Sequence, residues 1–349
     1  MFGSKGIVGL DIGSSYIKAV QLKETRSGYE LELFDSLPIS PELIVEGSII
    51  DAIRVTESLR ELVRKAKIKS KDAVIAISGH SSVIIKRISL PEMSEEELSE
   101  SIKFEAEQYV PFDIEDVNLD FQILGPKEEP GQMDVILVAV KKEVINDYVS
   151  VVKEAGLNTA IVDVDAFALE NMYGINYEIE AGKNVALVNI GASTINMNIL
   201  KGGVSVFTRD SSVGSNVHTD ALQKEFSISY EEAERLKRGE PVEKVRPEDA
   251  YSLIMNSSSD IFGEVTRSVD YFRSSTLQAE VAEVILSGGC ALIKGFPDAL
   301  SEKIGIPVRP AEPFRNITIP KKFDLSNIEE SAPIAAIAVG LATRRLGDR

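Results

Sequence analysis

The sequence holds one cysteine, Cys290, and two histidines, His80 and His218, in 349 residues. A single thiol excludes an intrachain disulfide and fits a reducing compartment; two histidines are too few to point to a zinc site. Positive charge is also scarce: 38 Lys and Arg stand against 55 Asp and Glu, a net charge of −17. Nucleic-acid affinity depends on phosphate neutralisation by Lys and Arg, so nucleic acid is a poor candidate partner. Long apolar runs are missing as well. The opening MFGSKGIVGLD has no signal-peptide core, and no stretch reaches the roughly 20 apolar residues that cross a bilayer. The late segment Ala332 to Leu341 is too short to span and runs into Thr343, Arg344 and Arg345. It reads as a packed helix, and the expected location is cytoplasmic. Hydrophobic residues make up 44%, ordinary for a folded chain, and the length allows two domains with substantial cores rather than disorder.

Two segments then stand out as copies of one unit: GLDIGSSYIKAVQL (Gly9 to Leu22) and LVNIGASTINMNIL (Leu187 to Leu200). In each, an apolar strand meets a polar residue, a glycine and small hydroxyl residues, then resumes as a second strand. The pattern predicts a hairpin with a narrow tip. Gly13 and Gly191 are expected to supply a backbone conformation closed to other residues, and the N–H groups around Ser14, Ser15 and Tyr16 and around Ser193, Thr194 and Ile195 to cradle phosphate oxygens, with Ala192 in the same small-residue turn. Two tips facing across a cleft would clamp a nucleotide.

The remaining chain alternates strand and helix signals, an α/β pattern. Residues 1–90 and 141–180 read as a first domain, with an amphipathic helix through Val55, Leu59 and Leu62. Residues 91–140 form the core of an inserted α+β subdomain, whose limits extend as far as about 73 and 160. Ser94 and Glu97 there give a capping box, with Leu98, Ile102, Ala106 and Tyr109 facing inward. Residues 181–349 read as a second domain, with a nucleotide-facing helical part at about 214–280. It holds a second capping box, Ser229 with Glu232, and one long helix from Pro247 to about Ser274.

Three elements in order, VGLDIGSSYIKAV, ALVNIGASTINMNIL and VILSGGCALIKGF, resemble the actin-like ATPase superfamily, which implies two domains closing on ATP and magnesium. By that resemblance Asp11 holds Mg²⁺, through water, since this ion dehydrates reluctantly. Asn189 stands where hydrolytic members usually carry Asp, which weakens the metal site and makes turnover doubtful. Gly288 and Gly289 let the backbone approach adenosine and the α-phosphate. Glu234 and Lys237, three apart on one helical face, are candidates for the ribose hydroxyls, with a solvated charged face as the alternative. Lys18 either reaches the phosphates or is a solvated strand lysine; simple alternation from Asp11 puts it on the opposite face unless the turn resets the register. Asp163 and Asp165 are the candidates for orienting water.

A closer resemblance is carried by RISLPEMSEEELSESIKFEAEQYVPFDIEDVNLDFQIL (Arg87 to Leu124), with VILVAVKKEVINDYVSVVKEAGL, VDVDAFALEN and RSVDYFRSS. These are similar to the PilM family of type IV pilus assembly, a relative of FtsA and of the cytoplasmic part of GspL. The resemblance implies an ATP-binding adaptor, peripheral at the inner membrane, that grasps the N-terminal cytoplasmic peptide of PilN and meets other inner-membrane pilus proteins. It places the peptide groove between the first domain and the insertion. Phe104, Tyr109, Pro111 and Phe112 are candidates for its wall, although helical spacing assigns Phe104 more readily to the subdomain core. A small-molecule kinase or a filament-forming protein on the same fold are the alternatives.

Overall fold

A computed structural model describes residues 6–79, 81–127, 129–275 and 279–348. His80 and Glu128 lie outside the described residues.

The chain opens as an antiparallel meander of β1 (Val8–Ile12), β2 (Tyr16–Thr25) and β3 (Gly28–Pro38). A small hairpin, β4 (Ile44–Val45) with β5 (Ser48–Ile49), leads into α1 (Ala52–Lys65). Asp51 caps that helix by accepting from Arg54 N, while Arg64 and Lys65 sit at its carbonyl end, where cations favour the dipole. The stripe Val55, Leu59 and Leu62 is fully buried. β6 (Asp72–Ile77) then lies parallel to β1.

The insertion comes next: β7 (Val83–Pro91), α2 (Glu95–Ala106), β8 (Val117–Pro126) and β9 (Gln132–Lys141), with β9 central between its two antiparallel neighbours. It has its own core. Met133, Val135, Leu137 and Ala139 alternate along β9 and meet Leu98, Ile102 and Ala106 of α2. The Ser94–Glu97 capping box is formed. Leu98 is fully buried in this core, and truncating it to Ala would cost about 2–5 kcal/mol.

After α3 (Lys142–Glu154), β10 (Asn158–Val164) pairs with β6, and α4 (Asp165–Asn176) carries the chain across to the second half. There β11 (Asn184–Ile190), β12 (Ile195–Lys201) and β13 (Val204–Ser211) repeat the opening meander. Helices α5 (Asn216–Phe226), α6 (Tyr230–Lys237), α7 (Pro247–Ser257) and α8 (Ser259–Ser275) precede β14 (Glu283–Ser287), α9 (Phe296–Ile304) and β15 (Val308–Pro310). The first sheet runs β10-β6-β1-β2-β3 and the second β15-β14-β11-β12-β13, so the two halves share one strand plan. The duplicated sequence segments are the duplicated meanders.

Two features differ from the sequence expectation. The long helix from Pro247 is two helices, broken at Ser258. Ser257 Oγ and Ser258 Oγ both bond back to Ile254 O, and such side-chain bonds compete with the helical ladder. The chain end also returns to the first half. Strand β16 (Ile317–Thr318) extends the first sheet beside β3, and after α10 (Leu325–Ser331) the helix α11 (Ala336–Leu341) packs on α4 and β1. Small residues permit that contact: a Cβ on Gly9 would lie 2.4 Å from Ala338 O, and one on Gly340 would lie 1.7 Å from Ala168 O.

Candidate functional site

The two meanders face each other across a cleft of about 890 Å³. That is the size of a large small-molecule site. Asp11, Gly13, Ser14, Ser15, Tyr16 and Lys18 line one wall. Asn189, Gly191, Ala192, Ser193 and Thr194 line the other, with Glu234 and Lys237 of α6 and the turn Gly288–Gly289 completing it. Asp165 also lines it. Asp163 is the exception among the candidates: it does not line the cleft. Its carboxylate accepts from Val164 N at 2.8 Å and pairs with Arg344 at 3.1 Å, a buried structural contact. Neighbouring residues at a strand-to-helix junction point different ways, which alternation could not resolve.

Each tip closes the same way. Gly13 N donates to Tyr16 O at 3.1 Å, and Gly191 N donates to Thr194 O at 2.9 Å. Neither glycine has a left-handed φ, contrary to expectation. What they provide is room, since a Cβ would stand 3.2 Å from Tyr16 O and 3.3 Å from Thr194 O. The conformational requirement falls instead on Gly288, at φ 85°, whose added Cβ would sit 2.2 Å from Ile190 O. Across the cleft the tips touch, Ser14 Oγ to Ser193 Oγ at 2.9 Å.

The first tip is ionic and the second neutral. Asp11 and Lys18 are cross-strand partners in β1 and β2, so the turn resets the alternation and brings both to one face; Lys18 Nζ bonds Asp11 Oδ2 at 2.8 Å. At the same place in the second half, Asn189 Nδ2 donates to Asn196 Oδ1 at 3.2 Å, while Asn189 Oδ1 accepts from Ser287 Oγ at 3.2 Å.

On α6, Lys237 Nζ bonds Glu234 Oε1 at 2.7 Å, Thr219 Oγ1 at 2.9 Å and Ser215 Oγ at 3.3 Å. The pair is largely buried, not a solvated helix face. Arg238, unremarked in the sequence, follows Lys237 to the cleft wall, where its Nη1 lies 3.4 Å from Tyr16 OH of the opposite half and its Nε pairs with Glu240. Among the described residues, the cations on the walls, Lys18, Lys237 and Arg238, each have a carboxylate partner. Leu292 and Ile293, at the end of the third motif, join Pro333, Ile334 and Ile337 as an apolar side of the cleft.

Burial raises the Asp165 carboxyl to a pKa of about 8, helped by Asp11, opposed by a hydrogen bond from Ser78, raised further by Asp210 and lowered by Lys18. Tyr148 of α3, which also lines the cleft, donates to Gly47 O at 3.2 Å, and burial holds its phenol well above the usual range.

Among the described residues no three His, Cys, Asp or Glu side chains gather as a metal cage. The donors present suit a Mg²⁺ that keeps its waters and is held by one or two carboxylates together with phosphate oxygens. On the insertion, Phe104 is 69% exposed, so its expected core role is not the one it has. Leu98 and Ile102 fill that side of α2 instead. Pro111 is exposed, Tyr109 and Phe112 are half-buried, and Lys141 Nζ lies 4.8 Å above the Phe112 ring.

The family model described as "Type IV pilus assembly protein PilM" matches residues 9–346. The solved "PilM-PilN type IV pilus biogenesis complex" contains a chain 27% identical, with a TM-score of 0.85 and 97% of each chain covered. Ethanolamine utilization protein EutJ from Carboxydothermus hydrogenoformans aligns at 17% identity and TM-score 0.57, over 96% of this chain and 88% of that one. MreB5 of Spiroplasma citri bound to ADP aligns at 15% identity and TM-score 0.51, over 97% and 95%. These likenesses establish the actin-like fold. No described helix is long and apolar enough to cross a membrane.

Proposed function

Because the chain belongs to the type IV pilus assembly protein PilM family, we propose that it is an ATP-holding adaptor that grips the N-terminal cytoplasmic peptide of a PilN partner. The observation that carries this is the convergence of both glycine tips, the Gly288–Gly289 turn and the Glu234–Lys237 pair on one cleft, in a chain built like the PilM of the PilM–PilN complex. Location in the cytoplasm, at the inner membrane through PilN, follows from that partner.

The nucleotide phosphates would lie between the tips and accept from their N–H groups. Asp11 is the residue suited to hold magnesium, through water, with Lys18 beside it limiting the negative charge. The bound ion would neutralise phosphate charge. Asn189 turns its oxygen to Ser287 and its nitrogen to Asn196, so the second tip offers an N–H donor rather than a metal-binding oxygen. Asp165, with a pKa of about 8, is only about one-tenth ionised at pH 7 and is a poor base there. Both features favour retention of ATP over turnover.

The insertion, with Phe104 exposed and Tyr109, Pro111 and Phe112 nearby in sequence, is the proposed contributor to the peptide groove. Pull-down with a synthetic PilN N-terminal cytoplasmic peptide tests the assignment. Retention of the peptide, weakened by Phe104→Ala, is expected; no retention with or without ATP would overturn it. Brisk peptide-independent ATP turnover, lost in Asp11→Ala, would overturn the holding role.

A further inference from the structure

One row of the second sheet carries polar side chains from strand to strand and ends on the other half of the molecule. Ser287 of β14, Asn189 of β11, Asn196 of β12 and Asp210 of β13 are consecutive cross-strand partners. They form a chain: Ser287 Oγ to Asn189 Oδ1 at 3.2 Å, Asn189 Nδ2 to Asn196 Oδ1 at 3.2 Å, and Asn196 Nδ2 to Asp210 Oδ1 at 3.0 Å. The other carboxylate oxygen, Asp210 Oδ2, accepts from Gly79 N at 3.2 Å.

The direction of every bond in the row follows from its last member. Asp210 accepts at both carboxylate oxygens, and Asn196 turns its Nδ2 toward it. Its Oδ1 then faces Asn189, which must donate with Nδ2 and is left with Oδ1 for the Ser287 hydroxyl. The second hydrogen on Asn189 Nδ2 remains for a phosphate oxygen. Asp210 thus sets which way the second tip presents its amide, from two strands away.

Its bond to Gly79 has a mechanical meaning. Gly79 lies in the connection 78–82, which joins β6 of the first sheet to β7, the first strand of the insertion. Gly79 itself is tightly seated: it has φ 138°, and a Cβ there would lie 3.0 Å from Glu46 O. A second bond from the same strand reaches the insertion itself, Thr208 Oγ1 to Ile85 O at 3.4 Å. Strand β13 is the edge of its sheet, so what it holds can shift without breaking a ladder on that side.

We propose that Asp210 is a positioning residue that couples the second phosphate tip to the connection carrying the insertion, so that nucleotide between the tips alters how the insertion is held. This rests on the nucleotide-holding reading above. A phosphate that takes the Asn189 N–H pulls on the amide row, and the row's terminal carboxylate transmits the change to Gly79. A direct differential contact at both ends is what such coupling requires.

Hydrogen exchange of the full chain, with and without saturating ATP–magnesium, tests the proposal in wild type, Asp210→Asn and Asp210→Ala. Asn keeps the shape but can donate, which breaks the forced order. Ala removes the side chain from a partly exposed edge position. In wild type, ATP should slow exchange at residues 13–16 and 191–194 and change it about threefold or more at 78–90. In both variants the effect at 13–16 should persist while the nucleotide-dependent change at 78–90 falls away. If the change at 78–90 survives in the variants, or is missing in wild type although the tips are protected, the coupling role is overturned and the nucleotide reading stands. If ATP protects the tips of no form, the nucleotide reading falls and the coupling with it.

Discussion

Ser14 and Ser193, one on each glycine tip, share a hydrogen bond of 2.9 Å between their Oγ atoms across the cleft. A neutral hydroxyl pair contributes only about 0.5–1.5 kcal/mol. Phosphate oxygens accept stronger, charge-assisted bonds and can replace it. The contact marks where the halves meet across the cleft, and where the proposed nucleotide would insert.

Ser14→Ala and Ser193→Ala should each weaken ATP affinity by about 3- to 10-fold, the size of one hydrogen bond. Calorimetric titration measures this. Unchanged affinity in both would place the phosphates away from the tips.

The adjacent glycines of the third turn should behave differently. Gly288→Ala forces a Cβ to 2.2 Å from Ile190 O at a left-handed φ and is expected to cost more than about 2 kcal/mol, seen as a clear drop in Tm. Gly289 has nothing within 4 Å of an added Cβ, so Gly289→Ala should leave Tm nearly unchanged. Equal drops would contradict the geometry.

His218 is fully buried against Ser258 Oγ at 2.9 Å and Phe296, and burial, with Lys237 adding, lowers its pKa to about 3. The unfolded chain keeps a value near 6.5, so between these limits it binds a proton that the folded chain refuses. Its stabilising contribution is complete above about pH 6.5 and is lost as pH falls toward 3. Urea unfolding at pH 7.5 and 5.0 should show wild type losing on the order of 2 kcal/mol more than His218→Gln over that drop. Identical losses would contradict the neutral buried imidazole.

Any residual ATP hydrolysis should track the ionisation of Asp165. With its pKa near 8, the rate should rise up to about tenfold per pH unit from pH 6 and level off above 8. Asp165→Asn should flatten the profile. A flat wild-type profile would remove Asp165 from any water-orienting role.

Much of this was legible in the chain. The duplicated tips announced themselves because a hairpin's composition is local, and Asn189 was singled out by the superfamily resemblance, standing where hydrolytic members usually carry Asp. Glu234 and Lys237 were visible through helical spacing, and the two capping boxes formed where Ser94 and Ser229 indicated. Relationships across strands were not visible. Asp210 is an ordinary strand residue until the register puts it opposite Asn196, and Asp163 and Asp165 look equivalent until the strand ends between them. The return of β16 and α11 to the first half depends on Gly9 and Gly340 meeting distant backbone, which no periodicity encodes. Phe104 fits the apolar period of α2 loosely, and only packing shows that Leu98, Ile102 and Ala106 already fill the core.

A clamp that keeps its nucleotide in order to present a partner site must hold the partner more tightly when loaded. The direct measurement is isothermal titration of the PilN N-terminal cytoplasmic peptide into the protein with and without ATP–magnesium, followed by assay of the nucleotide. Peptide affinity should be about fivefold or more higher with ATP, equivalent to roughly 1 kcal/mol of coupling, and the ATP should be recovered intact. Equal affinity in the two states, or ATP consumed over many turnovers during the titration, would contradict it.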